Sequence, residues 1–499
     1  MSALLVAGTT SDAGKSVVTV GLCRALARRG IKVAPFKAQN MSNNSMVCMT
    51  SDGTGAEIGR AQWIQALAAR AEPEPAMNPV LLKPGSDRRS HVVVMGRPAG
   101  DLDSRDFAEG RNHLARAAHD AFDDLVSRYD LVVAEGAGSP TEINLRASDY
   151  VNMGLARHAG IPTVVVGDID RGGVFAAMFG TVALLDPADQ RLVAGFVVNK
   201  FRGEKTLLAP GLAQLESLTG RPVYGVLPWH PDLWLDSEDA LDLEGRRAST
   251  DRGSLRVVVV RLPRISNFTD VDALGVEPGL DVVFASEPRA ISDADLVVLP
   301  GTRATLADLA WLRDRGLDRA IHDHVARGRP VLGICGGFQM LGASICDPEG
   351  VEGRAGVRAD GLGLLRACTV FGPTKVLGLP HGEALGATAD GYEIHHGRVT
   401  REAGVEEFLG GARHGGVFGT MWHGSLESDA FRTAFLAELA GLVDKQWHPS
   451  GIRFAERRER RLDLLADLVE EHLDVDALHA LARSGPSPDL PLLPPGSAR

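Results

Sequence analysis

The sequence predicts an α/β fold in which two parallel-sheet domains follow one another along the chain. Residues 1–235 alternate short apolar runs rich in β-branched residues, such as YDLVVAEGAG and IPTVVVGDID, with stretches of helical period. A second alternating series, which includes LRVVVVRLP and RPVLGICGG, occupies residues 255–440. Buried parallel strands covered by helices on both faces have this pattern. The length of 499 residues agrees, since one ordinary hydrophobic core needs a shorter chain.

The remaining segments are assigned from their composition. Residues 236–254 are acidic and then polar, and are predicted to form a linker between the domains. Residues 441–483 contain IRFAERRERRLDLLADLVEEHLD, whose mixed charges and helical period predict a C-terminal helical segment rather than a membrane-surface helix. Residues 484–499 are rich in Pro, Ser and Gly, and are predicted to be disordered.

Charge and apolar content narrow the classes of partner. A net charge of −11 without a basic tract argues against nucleic acid, although a local basic site can still bind an acidic ligand. No apolar run reaches the roughly 20 residues of a membrane helix, and no leader precedes the first motif. Five cysteines without disulfide or zinc spacing are typical of a reducing compartment. We therefore expect a cytoplasmic protein without a membrane partner, and the oligomeric state stays open.

A phosphate-binding loop begins the first domain. LLVAGTTSDAGKSVVTVG indicates a strand, a glycine-containing loop and a helix that starts near Gly14, Lys15 and Ser16. Backbone N–H groups can hold phosphates there, Lys15 can reach their outer oxygens, and the Ser16 hydroxyl can ligate Mg²⁺. Asp12, in the same loop, is included in the candidate ATP site. Five residues separate Gly8 from Gly14 where four are usual, and this longer loop resembles that of dethiobiotin synthetase and its relatives.

A site for Mg²⁺ and a nucleotide needs carboxylates beside the Ser16 hydroxyl. Glu135 ends the apolar run DLVVAEGAG and is the first candidate. Asp52, in TSDGTGAEIGRAQ, is the second candidate metal ligand, with Glu57 as its rival. Ordinary solvated loop acids are the structural alternative for these positions.

Other polar residues follow predicted strands and are expected at the same sheet edge. Asn199, in GFVVNKFRG, could read the adenine edge of ATP, or could be a strand-end turn residue. Lys37, in APFKAQNMSNNS, could meet a carboxylate or a transferred phosphoryl group, since fixed cations stabilise the charge that develops there. GDIDRGGVFA adds three candidates for the substrate and phosphoryl group, which an ordinary charged loop would also explain: Asp168, Asp170 and Arg171.

A Gly-x-Cys-x-Gly turn marks the second domain. Cys335 lies between an apolar run and a predicted helix in RPVLGICGGFQMLGAS, the sulfur version of a nucleophile elbow. The helix start favours a thiolate, and the N–H of Gly336 can bind an oxyanion. Gly301, in VVLPGTRAT, could supply a second oxyanion N–H, and His423, in FGTMWHGSLE, could be the activating base. A buried structural cysteine is the alternative.

The order GxCxGxQ and then HG resembles triad-type glutamine amidotransferases, in which Gln339 and the oxyanion groups would bind glutamine. Cys335 is therefore predicted to be catalytic. One position departs from that class, because Ser425 stands where a glutamate usually follows the histidine by two residues. Glu427 is a candidate only by proximity, so the group that orients the imidazole stays unassigned.

A series of stretches resembles the adenosylcobyric acid synthase family of cobalamin biosynthesis. They span almost the whole chain up to the C-terminal helix, in family order, and EGAGSPTEINL and RLPRISNFTD separate this family from other phosphate-loop enzymes. The others are TTSDAGKS, PFKAQNMSNNS, EIGRAQ, LLKPGSDRRSHVVVMGRPAG, DIDRGGVFA, VVNKFRGE, LPGTRAT, GICGGFQMLG, GYEIHHG and GTMWHG.

The resemblance implies a dethiobiotin-synthetase-like domain followed by a triad-type glutamine amidotransferase domain. It implies an ATP-hydrolysing amide ligase that amidates four peripheral carboxylates (b, d, e and g) of adenosylcobyrinic acid a,c-diamide. Each round would use ATP, Mg²⁺ and glutamine, with Cys335 forming a thioester and His423 acting as general acid and base. The polyanionic corrinoid would meet local lysines and arginines.

Other functions stay open on the sequence alone. Cobyrinic acid a,c-diamide synthase, or another glutamine-dependent carboxylate amidase, would perform the same chemistry on different carboxylates. A partition-type ATPase would be a nucleotide-switched binding module, but it would carry a lysine at the position of Thr10 and would have no use for the second domain. A chain with a decayed glutaminase would depend on free ammonia.

Overall fold

The computed structural model describes residues 2–85, 89–103, 111–231 and 255–494. These residues form two α/β domains, each with a mostly parallel central sheet, so the predicted fold class is confirmed. The linker predicted at 236–254 lies outside the described residues, as do residues 495–499 of the predicted tail. Within the described ranges, no helix combines the length and the apolar character needed to cross a membrane.

The first domain alternates strands and helices along the chain. Its strands are β1 (Ala3–Gly8), β2 (Val33–Phe36), β3 (Gln39–Met41), β4 (Ser45–Met49), β5 (Gly55–Gly59), β6 (Val80–Pro84), β7 (Arg89–Val94), β8 (Arg97–Asp103), β9 (Leu131–Glu135), β10 (Thr163–Asp168), β11 (Val193–Phe201) and β12 (Val223–Pro228). Its helices are α1 (Lys15–Arg28), α2 (Arg60–Ala68), α3 (Asn112–Arg128), α4 (Met153–Ala159), α5 (Val174–Leu184), α6 (Pro187–Gln190) and α7 (Ala209–Thr219).

The central sheet of the first domain has the strand order β12-β11-β10-β1-β9-β2, and its strand pairs are all parallel. Its strands are apolar on both faces because helices cover both, and Leu5, Val133 and Val165 are fully buried. β1 lies in the middle and leads into the phosphate loop. That loop therefore lies at the carboxyl edge of the sheet, beside the ends of β9, β10 and β11.

Two smaller sheets extend the first domain. β3 pairs with β6 in parallel, β7 and β8 continue this sheet in antiparallel fashion, and β4 and β5 form a hairpin. Residues 39–41 line a cavity that also contains Lys15, whereas Ser45 touches the second domain. The segment 39–45 therefore runs from the phosphate-loop side to the domain boundary.

The second domain and the C-terminal helices follow from residue 255. The strands are β13 (Leu255–Val260), β14 (Leu280–Ala285), β15 (Leu296–Leu299), β16 (Val331–Ile334), β17 (Ser344–Asp347), β18 (Val357–Asp360), β19 (Ala367–Gly378), β20 (His381–Ala384), β21 (Ala387–Asp390), β22 (Glu393–Arg401), β23 (Glu406–Phe408), β24 (Gly411–His414) and β25 (Val417–Thr420). The helices are α8 (Asp272–Gly275), α9 (Pro288–Ser292), α10 (Thr305–Asp314), α11 (Leu317–Ala326), α12 (Gly336–Leu341), α13 (Asp429–Leu442), α14 (Phe454–His472) and α15 (Val475–Ser484).

The central sheet of the second domain has the order β14-β13-β15-β16-β25-β24-β23, parallel from β14 to β25 and antiparallel beyond. β16 ends directly before Cys335, and β25 ends three residues before His423. The two strands are parallel neighbours, with Ile334 beside Thr420. Their carboxyl ends therefore bring Cys335 and His423 to the same edge of the sheet.

The C-terminal helices return to the first domain. Leu462, Leu465 and Val469 of α14 are buried in one hydrophobic cluster with Val18 and Leu22 of α1. Burial of this apolar face, at about 25 cal/mol per Å², is the main force that attaches the helix. Ion pairs from arginines of α1 to acids of α14 surround the contact. The chain thus leaves the first domain, builds the second, and comes back.

The described part of the tail is also attached to the first domain. Leu493 is buried, its N–H donates to Gln190 Oε1 at 2.8 Å, and its carbonyl accepts from Gln190 Nε2 at 3.0 Å. Residues 485–494 therefore differ from the disordered tail expected from composition. The hydrogen bonds between Leu493 and Gln190, and one from Arg221 to the Pro491 carbonyl at 3.1 Å, hold this segment against the first domain.

The two domains contact each other directly as well. Tyr392 and Ile394, at the start of β22, are buried in a hydrophobic cluster of the first domain. Arg60 of α2 pairs with Glu427 at 2.8 Å, and its side chain is almost fully buried. Side chains of the second domain are therefore part of the packing of the first.

Candidate active sites

The phosphate loop folds around the side chain of Lys15. Its Nζ donates to the carbonyl oxygens of Thr10 at 2.9 Å, Ser11 at 3.0 Å and Gly138 at 3.1 Å. The ammonium group is therefore held at the loop between β1 and α1, on the side from which phosphates would approach.

Asn199 supports the same loop from β11. Its Nδ2 donates to the carbonyl of Ala13 at 3.0 Å. A Cβ atom on Gly14 would lie only 1.9 Å from this Nδ2, and Gly14 has a φ of 95°, so glycine is required on both counts. Asn199 thus lies beside the loop, as predicted, with its amide bonded to the loop backbone.

Glu135 joins the loop to two other elements. Its Oε1 accepts from Ser16 Oγ at 3.0 Å and from Lys37 Nζ at 2.9 Å, while its Oε2 accepts from Gln65. The carboxylate is almost fully buried. The structure therefore brings together Ser16, Glu135 and Lys37, three residues that sequence motifs placed in different roles.

The cavity around these groups, here called the Lys15 pocket, has a volume of about 370 Å³. That is within the range of small-molecule sites. Its wall is rich in cations and amides: Lys15, Lys37, Arg111, Arg146, Gln39, Asn40 and Asn152. The Ser16 hydroxyl and the Glu135 carboxylate are hard oxygen ligands that fit Mg²⁺. No cluster of three His, Cys, Asp or Glu side chains in the described parts could hold a metal alone, so phosphate oxygens and water would complete the coordination.

Asp52 lies in a different place from the other metal candidates. It occupies the exposed turn between β4 and β5, where its carboxylate accepts hydrogen bonds from Thr50 and Thr54, and these bonds lower its pKa to about 2. The structure thus brings Glu135, and not Asp52, to Ser16, because this stretch forms a hairpin turn instead of following a strand of the central sheet. Its rival Glu57 is buried on β5 against two lysines.

The charged residues after β10 form a cluster along the outer side of the loop. Arg171 donates to Asp12 Oδ2 at 3.2 Å, and Lys200 donates to Asp168 Oδ2 at 2.9 Å and to the Asp12 carbonyl at 2.8 Å. Asp168 also accepts from the backbone N–H of Asp170 at 2.9 Å. These residues are adjacent to the loop, but they do not line the Lys15 pocket.

Cys335 occupies a strained turn between β16 and α12. Its φ of 50° and ψ of −107° are rare for a residue with a side chain. Close packing explains the small neighbours, since a Cβ on Gly337 would lie 1.9 Å from the Leu299 carbonyl oxygen. The predicted elbow is present, and it presents the sulfur, 7% exposed, to a small cavity.

His423 is held beside Cys335 by an aspartate. Its Nδ1 lies 2.7 Å from Asp270 Oδ2, and the N–H of Gly424 donates to Asp270 Oδ1 at 2.8 Å. Burial alone would lower the pKa of His423, but the carboxylate of Asp270 and the hydrogen-bonded sulfur of Cys335 raise it to about 10. A protonated imidazole next to the sulfur favours the thiolate form. Cys335, His423 and Asp270 therefore have the arrangement expected of a nucleophile, a base and an orienting group.

Asp270 was missed from the sequence, and Glu427, the candidate by proximity, lies elsewhere. Glu427 pairs with Arg60 and Arg458, both at distances under 3 Å. Asp270 follows β13 in the stretch RLPRISNFTDVDAL, on a 3₁₀ turn at Phe268–Val271. An acid in the loop that follows a parallel strand, at the same sheet edge as the elbow, was the available signal.

Two backbone N–H groups border the elbow. A Cβ atom added to Gly336 would lie 3.1 Å from the backbone nitrogen of Thr302. A Cβ atom added to Gly301 would lie 2.9 Å from His423 Cε1. Gly301 therefore packs against the histidine ring, and the nitrogen next to Gly336 belongs to the following residue. Gln339 accepts a hydrogen bond from Thr305 Oγ1 at 3.2 Å and lines the same cavity.

The cavity at the sulfur, here called the Cys335 pocket, has a volume of about 50 Å³ and strongly charged walls. Burial lowers the pKa of Arg303 and raises the pKa of Glu352. The opposite charge of each group offsets part of the effect of burial on the other. Lys375 and, from the first domain, Lys83 also line the pocket. The first domain thus supplies part of the wall around the nucleophile.

Comparison with known proteins matches both domains to described families. Residues 4–242 match the CobQ/CobB/MinD/ParA nucleotide binding domain, and residues 256–431 match the CobB/CobQ-like glutamine amidotransferase domain. The chain is 74% identical over 498 residues to a protein named cobyric acid synthase from Mycolicibacterium gilvum (strain PYR-GCK), covering 100% of both chains. It is 72% identical to the proteins of that name from Mycobacterium tuberculosis (strain H37Rv) and Mycobacterium ulcerans (strain Agy99), again over 100% of both chains.

Proposed function

The chain belongs to the cobyric acid synthase family, and we therefore propose that it amidates four peripheral carboxylates (b, d, e and g) of adenosylcobyrinic acid a,c-diamide with ammonia taken from glutamine. It is a glutamine-dependent amide ligase. We propose that glutamine supplies the nitrogen, that ATP activates each carboxylate, and that separate sets of residues act on the two. Use of ATP and glutamine supports a cytoplasmic location.

One observation carries the proposal: a nucleophile site and a phosphate-loop site lie in one chain, each built mainly from its own domain. Cys335 with His423 and Asp270 suits amide cleavage. Lys15 with Ser16 and Glu135 suits a nucleotide with its metal. Neither site alone needs the other, whereas amide synthesis from glutamine needs both.

The chemistry at Cys335 follows from its neighbours. The sulfur attacks the side-chain amide carbon of glutamine, and the carbonyl oxygen becomes an oxyanion that the N–H groups of Gly336 and Thr302 can stabilise. His423 gives its proton to the leaving nitrogen, so the carbon–nitrogen bond breaks and ammonia departs, leaving a thioester. His423 then takes a proton from water, which cleaves the thioester to glutamate and frees the sulfur.

We assign the specificity for glutamine to the charged residues that line the Cys335 pocket. Arg303 and Glu352 suit the carboxylate and ammonium groups of a free amino acid, and Gln339 suits the amide. This division would exclude amide groups that lack the amino-acid head.

In the Lys15 pocket, the loop backbone and Lys15 would hold ATP, Asn199 would support the loop, and Ser16 and Glu135 would hold Mg²⁺. When bound, ATP with Mg²⁺ supplies the phosphoryl group that activates a carboxylate. Lys37 would orient that carboxylate, and Arg111 and Arg146 would neutralise others on the same substrate. Such a local set of cations can bind a polyanion although the whole chain has a net charge of −11.

The test supplies the substrate together with either glutamine or ammonium, and compares the wild type with a variant that lacks the Cys335 sulfur. Purified protein would be incubated with adenosylcobyrinic acid a,c-diamide, ATP, Mg²⁺ and glutamine, and added amides counted by mass spectrometry. We expect four additions in the wild type, none in Cys335→Ala with glutamine, and four in that variant with ammonium. Cys346→Ala, a half-buried cysteine on β17, is the matched control and should behave as wild type.

Glutamine hydrolysis without any gain of mass on the corrinoid would contradict the proposed substrate. Additions at the a and c carboxylates, in a parallel incubation with cobyrinic acid in place of the diamide, would instead identify the diamide synthase. Amidation by Cys335→Ala with glutamine would contradict the role of the sulfur.

A further inference from the structure

Two groups fix the ring of His423, and both connect to the first domain. Asp270 bonds its Nδ1, and the ring of Tyr392 stacks on it with centroids 5.3 Å apart and planes inclined by 24°. Tyr392 is buried in a hydrophobic cluster of the first domain. Asp270 reaches the same domain through a neighbour on its own turn.

That neighbour is Asn267, which begins the 3₁₀ turn carrying Asp270. Its side-chain Oδ1 accepts a hydrogen bond from the backbone N–H of Ser45 at 2.9 Å. Asn267 has a φ of 48° and a ψ of 40°, a left-handed conformation in which asparagine is among the least strained side chains. The residue is 3% exposed, so this hydrogen bond is shielded from water.

Ser45 is itself a rigidly held anchor. Its Oγ donates to Glu57 Oε1 at 2.8 Å and accepts from Lys83 Nζ at 2.9 Å. Glu57 also pairs with Lys83 at 2.5 Å and with Lys375 of the second domain, and its carboxylate is fully buried. The bond to Asn267 therefore ends on a buried ionic cluster and not on a loose loop.

The other end of the segment reaches the Lys15 pocket. β3 lines that pocket with Gln39, Asn40 and Met41, and only three residues separate it from Ser45. A substrate that contacts β3 would order this short segment. Its position at Ser45 would in turn determine how well the turn from Asn267 to Asp270 is held.

We propose that Asn267 is a positioning residue through which the first domain holds Asp270 against His423, so that glutamine cleavage is promoted when the Lys15 pocket is filled. This inference rests on the proposed function. Asn267 also lines the Cys335 pocket, but the proposed role is exercised through Asp270. The physical consequence is that the third member of the nucleophile site depends on a domain that performs a different reaction.

The decisive variant is Asn267→Gly. Glycine adopts the left-handed conformation freely, so the substitution removes the Oδ1 acceptor while preserving the backbone. Asn267→Asp retains an acceptor oxygen at the same place and is the rescue variant. Thermal unfolding and ammonium-supported amidation would be measured on each, because a general packing defect would lower both.

We expect Asn267→Gly to lower kcat/KM for glutamine hydrolysis about tenfold, the effect of one lost hydrogen bond. Stimulation of hydrolysis by adenosylcobyrinic acid a,c-diamide with ATP and Mg²⁺ should largely disappear. The alkaline limb of the glutaminase pH profile should move to lower pH, since a loosened Asp270 stabilises the imidazolium less. Ammonium-supported amidation should stay within about twofold of wild type, and Asn267→Asp should recover most of the lost hydrolysis.

Wild-type hydrolysis, stimulation and pH profile in Asn267→Gly would overturn the inference. A parallel loss of hydrolysis and of ammonium-supported amidation would overturn it too, because it would indicate a packing role. The pH profile of glutamine hydrolysis needs no corrinoid, so it decides the inference even if the wild type fails to amidate the diamide. That failure would count against the proposed function alone.

Discussion

Asp270 and His423, 153 positions apart in the chain, are joined by a hydrogen bond of 2.7 Å between Oδ2 and Nδ1. Because Asp270 uses Nδ1, the Nε2 of the ring is left for Cys335. The second oxygen of Asp270 is bound by the N–H of Gly424, so the carboxylate is fixed at both ends. The imidazole is therefore held in one orientation, with Nδ1 directed at Asp270 and Nε2 directed towards the sulfur.

Replacing the orienting carboxylate should damage glutamine cleavage selectively. We expect Asp270→Asn to lower kcat for glutamine hydrolysis roughly 10³-fold, because the amide stabilises the wrong tautomer and cannot support an imidazolium. Ammonium-supported amidation should persist, since the Lys15 pocket is untouched. Glu427→Gln is the control for the acid that proximity suggested, and should retain glutaminase activity. Equal losses in the two variants would contradict the assignment of Asp270.

The pH dependence of glutamine cleavage should reflect the raised pKa of His423. Burial would lower that pKa, but Asp270 and Cys335 raise it from 6.5 to about 10, so the imidazolium that protonates the leaving ammonia persists through neutral pH. The alkaline limb of kcat/KM should thus lie near pH 10 and move downwards in Asp270→Asn. Steady-state rates from pH 6 to 11 measure this, and a wild-type limb near 6.5 would contradict it.

Loss of the loop lysine should abolish synthesis from either nitrogen source. In Lys15→Ala we expect amidation to fall by about 10²–10³-fold with glutamine and with ammonium alike, because the fixed cation is absent from the phosphate site. Basal glutamine hydrolysis should remain measurable. Lys205→Ala, an exposed lysine outside the Lys15 pocket, is the matched control. Rescue of Lys15→Ala by ammonium would show that Lys15 serves the other site.

The buried acid between the domains should control stability in a pH-dependent way. Burial alone would raise the pKa of Glu57, but Lys375 and Lys83 hold it well below its usual 4.5. A carboxylate whose pKa is lowered by folding stabilises the folded state above about pH 4.5. That contribution is lost as the pH falls further. We expect Glu57→Gln to lower the free energy of unfolding by about 3–5 kcal/mol at pH 7, since it leaves two buried lysines without their anion.

That difference should shrink as the pH falls from about 5 towards 3, because the unfolded chain takes up a proton at Glu57 in this range while the folded protein keeps the carboxylate ionised. Thermal unfolding of both proteins across this range measures it. A difference that is constant with pH would contradict the ionised state of Glu57.

The C-terminal helix should be needed for the stability of the first domain. Leu465 of α14 is 2% exposed in the cluster shared with α1, so Leu465→Ala should cost about 2–5 kcal/mol through lost burial and a cavity. Glu471→Ala, at an exposed position of the same helix, should have little effect. If thermal unfolding is the same in both variants, α14 is not part of that core.

Local motifs predicted the parts of the site that adjoin strands. Lys15, Ser16 and Glu135 follow β1 or end β9, and Cys335 and His423 follow β16 and β25, so parallel topology alone brings each set to one edge. The strand runs that predicted an α/β fold are the same runs that bury both faces of the two central sheets.

Long-range pairings could not be predicted in this way. Nothing in the residues around Asp270 indicates which of several acids in its neighbourhood meets His423, because the choice depends on where a 3₁₀ turn points. Asp52 lies apart from Ser16 for a related reason: it occupies the turn of the β4–β5 hairpin and does not follow a strand of the central sheet. The contacts of Leu493 are a further example, because composition does not register one buried side chain.

The return of α14 and α15 onto α1 makes the second domain an insertion within the first. Both ends of the second domain are connected to the first domain. Any movement between the domains is therefore confined to a hinge about the line that joins these two connections. A single cut at 236–254 would leave part of the first domain's core on the wrong fragment. Independent production of the two halves thus requires two cuts, with residues 454–494 rejoined to the N-terminal piece.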